Sequence, residues 1–114
     1  MTIHAYETLD CASKVRVHYL LAQPVSLQSL SVFPEDSIEV SEFSRQVQGA
    51  KDHFTVTLGS SVRAAGGVGE CKMVVTYGKT SRERPVDEIR DFEARLRSLD
   101  GEGIEYHRRR EDVV

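Results

Sequence analysis

The stretch that decides the fold is RPVDEIRDFEARLRSLDG, residues 84–101. Pro85 suits a first helical position, Asp87 and Glu88 put negative charge in the first turn, and Gly101 supplies a stop after Asp100. Val86, Ile89, Phe92, Leu96 and Leu99 recur at steps of three and four, which makes one apolar stripe along a helix. Asp91 with Arg95 and Glu93 with Arg97 then fall at i,i+4 spacing and are predicted to be ion pairs on the exposed side. A lone helix with such a stripe needs an apolar surface to cover, and the rest of the chain must supply it.

That surface is predicted from segments of period two. Phe54, Val56 and Leu58 alternate with Thr55 and Thr57, and Cys71, Met73, Val75 and Tyr77 alternate with Lys72, Val74 and Thr76. Val15, Val17, Tyr19 and Leu21 alternate with Lys14, Arg16 and His18, although helical spacing through Leu9, Ala12, Val15 and Tyr19 competes, and residues 5–13 fit either state. Val25 to Phe33, rich in Ser and branched residues and closed by Phe33-Pro34-Glu35-Asp36, is predicted to be a strand ending in a turn. Ile38 and Val40 open a further short strand, while Phe43 and Val47 let residues 41–48 form a helical turn capped by Ser41. Residues 64–70, with Gly66, Gly67 and Gly69, are predicted to be the hairpin loop between the strands at 54–58 and 71–77, with the alternative that the first strand runs on through Val62 with a bulge near Gly59. Ile104 and Tyr106 alternate after Gly103 and predict a last edge strand.

Together these elements predict an α+β fold: an antiparallel sheet of about five strands, its apolar face (Val15, Val17, Phe54, Val56, Met73, Val75) covered by the C-terminal helix. A ferredoxin-like arrangement with an earlier second helix is the alternative. Residues 1–107 are expected to form one domain, and residues 108–114 a charged, mobile tail.

With 114 residues, 39% hydrophobic and 29% charged, the composition suits one globular core. A net charge of -3 argues against a dedicated nucleic-acid binder, whose domain would be basic. No run approaches the roughly 18 to 20 apolar residues of a membrane span, and Glu7 and Asp10 follow Met1 too closely for a signal peptide. A cytoplasmic protein is therefore expected. Cys11 and Cys71 stand far apart and outside any C-x-x-C pair, and are expected to be buried or half-buried free thiols. His4, His18, His53 and His107 are never two to five positions apart, so no metal site is predicted; one would have to be assembled from different strands. AGGVGEC, residues 65–71, resembles a phosphate-binding glycine loop only superficially, because Glu70 stands where the lysine belongs and a strand follows. No cofactor is predicted.

No catalytic constellation is legible either, so the expected function is a non-enzymatic protein-interaction module: an adaptor, inhibitor or regulatory subunit. Alternation assigns Arg16, His18, Thr55, Thr57, Lys72 and Thr76 to the polar face of the sheet, where a protein partner or a second copy of the chain would dock as a homodimer. The alternative is an RNA- or phosphate-binding module in which Lys79, Arg82 and Arg84 before the helix meet Arg108, Arg109 and Arg110 after it. A small-ligand binder or enzyme in the cleft between sheet and helix stands third.

Overall fold

The pairing of Lys14–Leu20 with Lys72–Gly78 sets the centre of the sheet, because both segments alternate strictly and their apolar residues fall opposite one another: Val15 with Tyr77, Val17 with Val75, Tyr19 with Met73. The computed structural model describes residues 2–41, 52–79, 83–100 and 103–107. Its strands are β1 (Thr2–Asp10), β2 (Lys14–Leu20), β3 (Ile38–Ser41), β4 (His53–Leu58), β5 (Val62–Gly67), β6 (Lys72–Gly78) and β7 (Gly103–His107), with α1 (Val86–Asp100) between β6 and β7. They form one sheet in the order β3-β4-β5-β6-β2-β1-β7. All neighbours are antiparallel except β7, which runs parallel to β1. The fold is α+β, but the sheet has seven strands among the described residues, not about five, and it is mixed.

Two of the additional strands were hidden by their composition. β1 carries only Ile3 and Ala5 as fully buried apolar residues, and its register shifts between Glu7 and Leu9, so its alternation is short and broken. β5 occupies most of what the sequence presents as a loop. A turn stands at either end of the strand, at Gly59 with φ 62° and at Gly69 with φ 91°, and Val62 and Ala64 point inward. Gly66 belongs to the strand because the Phe54 ring lies over it: a Cβ there would come within 2.9 Å of Phe54 Cζ.

The predicted strand at Val25 to Phe33 is instead a loop with a 3-10 helix at Ser29–Val32. Ser26 and Ser29 bond each other's backbone: the Ser29 amide donates to Ser26 Oγ at 3.0 Å and the Ser26 amide to Ser29 Oγ at 2.8 Å. Such local bonds offer the backbone partners that a strand ladder would otherwise supply. Leu30 and Phe33, three apart, both turn into the core. The helical turn considered at residues 41–48 lies outside the described residues beyond Ser41, which ends β3.

α1 lies over one face of the sheet. Phe92 is fully buried, its ring centroid 5.3 Å from Phe33, 6.1 Å from Tyr19 and 6.0 Å from Tyr77. Ile89 and Leu96 are buried beside it, and Arg95 Nη1 donates to the Val32 carbonyl at 2.7 Å, fastening the 3-10 helix to α1. The stripe is rotated from the predicted one: Val86 is 52% exposed, while Glu93, expected on the solvent side, is only 8% exposed. Replacing Phe92 by Ala should lower the unfolding free energy by about 3–5 kcal/mol in urea titrations; an unchanged midpoint would deny α1 its covering role.

Candidate functional site

The face of the sheet away from α1 collects the side chains that alternate with the core. Strand register aligns Tyr6, His18, Val74, Ala65 and Thr55 in one row and Arg16, Thr76, Arg63 and Thr57 in another. All six residues predicted for the polar face, Arg16, His18, Thr55, Thr57, Lys72 and Thr76, are half-buried or exposed on it. The described 3-10 segments pack elsewhere, Ser29–Val32 against α1 and Glu35–Ser37 near β4.

Cations dominate the middle of this face. Arg63 and Arg16 flank Thr76 across three adjacent strands, and Arg16 Nε donates to Thr76 Oγ1 at 3.4 Å. Lys14 follows Arg16 two positions earlier on β2. No described carboxylate lies within ion-pairing distance of Lys14, Arg16 or Arg63, whereas Lys72 Nζ is 3.5 Å from Glu70. These three cations, without an ion pair among the described residues, line a cavity of about 460 Å³. Hydroxyls of Ser13, Ser60, Ser61, Thr57 and Thr76 complete its wall, and its described lining holds no carboxylate. Nearby, burial together with the charges of Arg16 and Lys72 holds the His18 imidazole below its ordinary proton affinity.

Cys11 contacts Ser13, which lines that cavity, its Sγ 3.5 Å from Ser13 Oγ. The Ser13 hydroxyl, backbone bonds of Ser13 and Lys14, and the Lys14 charge bring its thiol down to about 7 against a small opposing effect of burial. Cys71 is exposed, not buried or half-buried as expected, because it sits in the turn ahead of β6.

The basic residues before the helix behave differently. Lys79 Nζ pairs with Asp10, and Arg84 Nη1 donates to Glu7 Oε1 at 2.6 Å, so both charges are met by carboxylates of β1. Arg82, Arg108, Arg109 and Arg110 lie outside the described residues. On the helix side, a cavity of about 310 Å³ is bounded by Arg84, Arg90, Arg97, Glu93 and Tyr106. Glu93 of that lining anchors a cluster of tyrosine hydroxyls. The Tyr19 hydroxyl donates to Glu93 Oε2 at 2.9 Å, Tyr106 donates to the same oxygen, and the Tyr77 hydroxyl stands 2.7 Å from that of Tyr19. Burial raises the proton affinity of Glu93 above the carboxylate norm, opposed by the Tyr19 bond and by Arg97 and Arg84.

At the β1–β7 edge of the open face, parallel pairing sets His4 opposite Glu105 and Tyr6 opposite His107. His4 Nδ1 is 2.7 Å from His107 Nε2 and 4.0 Å from Glu105 Oε2. The two histidines are 103 positions apart, so sequence spacing carried no sign of the cluster. No protein-family model, curated protein or solved structure matches the chain.

Two outcomes follow from these proton affinities. Because folding raises the Glu93 value, its stabilising contribution is complete below the ordinary carboxylate range of about 4 and is lost as pH rises through the folded value. Relative to the native chain, Glu93→Gln should therefore gain stability between about pH 4 and pH 7, checked by denaturant melts across that range; a constant difference would contradict the assignment. In a Cys71→Ser background, alkylation of Cys11 by iodoacetamide should accelerate with a midpoint near its value of about 7. A midpoint above about 8.5, the unperturbed thiol value, would remove the influence of Ser13 and Lys14.

Proposed function

We propose that the protein is a non-enzymatic binding module that holds an acidic segment of a protein partner on the open face of its sheet. The observation that carries this reading is the row Arg63, Thr76, Arg16 with Lys14 beside it: three cations without a described carboxylate partner, on a chain whose net charge is -3. Arginine guanidinium groups accept carboxylates in a bidentate fork, and the surrounding hydroxyls complete the coordination of the same oxygens. Strands fix the spacing of the backbone positions that carry these groups, so little backbone order has to be gained on binding.

A face-to-face dimer is disfavoured by the same charges, since a twofold axis would set a basic row against its own copy. Sheets that bind RNA present aromatic platforms for bases. Here Tyr6, on the open face, is already stacked on His107 with centroids 4.6 Å apart. Chemistry in the cavity would require a base beside a serine, and its described lining contains no histidine.

The test is anisotropy titration of a labelled poly-glutamate peptide. Saturable binding that weakens with salt is expected, with a loss of at least about tenfold in an Arg16→Glu, Arg63→Glu variant and none in Arg90→Glu on α1. Absence of binding, or equal loss in both variants, would contradict the proposal. An oligouridylate that displaces the peptide would transfer the face to nucleic acid, and a dimer that the Arg16→Glu, Arg63→Glu variant dissociates would transfer it to a second copy.

A further inference from the structure

We propose that His4, Glu105 and His107 form a binding site for a divalent first-row transition metal ion, with zinc as the reference ion. The site is independent of the acidic-partner reading: it lies at the β1–β7 edge of the face, whereas the cations occupy its middle, and it rests on different residues. Its foundation is the parallel pairing of β1 with β7. His4 and Glu105 are opposite partners, and His107 follows two positions beyond Glu105, so the alternation of the pleat turns all three side chains to one face.

The ligand atoms are already gathered. One atom from each of the three side chains lies within 4.8 Å of the other two. Around a tetrahedral ion with metal–ligand distances of about 2.0–2.1 Å, ligand atoms stand about 3.3 Å apart. The pairs at 2.7 Å and 4.0 Å lie on either side of that value, so modest side-chain rotations would close the set. Two imidazole nitrogens and a carboxylate oxygen suit zinc, nickel, copper or ferrous iron better than calcium or magnesium, which take oxygen ligands.

The histidine pair also has a proton constraint. Two ring nitrogens 2.7 Å apart cannot both carry hydrogen, so without an ion one must donate to the other. An ion uses both lone pairs at once. Tyr6, stacked on His107 with an interplanar angle of 15°, holds that ring plane and is a positioning residue. The side chains of His4 and Glu105 are 42% and 60% exposed, which leaves the remaining coordination positions open to water or to a ligand carrying a donor atom. Binding would tie β7 to β1 and so stabilise the parallel edge of the sheet.

The experiment is isothermal titration of zinc chloride into untagged, chelator-stripped full-length chain in a non-coordinating buffer. One ion per chain with micromolar affinity is expected, together with a zinc-dependent rise in melting temperature. His4→Ala and His107→Ala should each weaken binding at least about tenfold and abolish the thermal shift, while His53→Ala on β4 leaves both intact. Glu105→Gln, isosteric and exposed, repeats the affinity test without disturbing packing, and circular dichroism checks that each variant is folded. Absence of saturable micromolar binding would overturn the proposal. So would undiminished affinity in a folded His4→Ala, His107→Ala variant, or the same loss in His53→Ala.

Discussion

The packing of the Phe92 ring among Phe33, Tyr19 and Tyr77 is the interaction on which the rest of this architecture depends. It seats a fifteen-residue helix over one face of the sheet and makes Val15, Val17, Met73 and Val75 interior. Strand register is then fixed, because a slip of one residue would exchange every buried side chain with its polar neighbour. The same constraint turns Arg16, Arg63 and Thr76 outward on the other face. Display of the cations is thus a geometric consequence of how the core is closed.

β7 shows how a short edge strand can be held from two sides. On the helix side, the Tyr106 hydroxyl bonds the buried carboxyl of Glu93, which Tyr19 also engages. On the open side, His107 meets His4 and stacks on Tyr6. A charged group in a core is costly unless its oxygens find donors, and here the tyrosines supply them. Glu93 therefore belongs to the attachment of β7 and α1, while the open face carries the cations without described carboxylate partners.

The helix and the central strands were legible because their apolar residues repeat at 3.6 and at 2, and the six polar-face residues followed from that alternation alone. β5 was not, since Gly66 and Gly67 carry the composition of a loop, and only the approach of Phe54 to the first and of the Glu70 side chain to the second explains them. With β5 hidden, Arg63 could not be placed beside Arg16. Lys79 and Arg84 drew attention as a run of charge, but their partners Asp10 and Glu7 stand some seventy positions earlier and come into view only when β1 is paired. Glu93 fits an i,i+4 pair with Arg97, and its burial depends on tyrosines from other strands. The histidine cluster depends on a parallel pairing between the two ends of the described chain. Local chemistry was readable; long-range registration was not.

The central claim is that the sheet face opposite α1 is left uncovered by the described residues and is positively charged. The most direct measurement compares backbone amide relaxation caused by a negatively charged paramagnetic chelate with that caused by a neutral one of similar size. The charged agent should relax the amides of Arg16, Arg63 and Thr76 more strongly than the neutral agent, while the amides of Phe92 and Leu96 stay protected from both. Equal effects of the two agents along the row, or protection of that row from both, would contradict it.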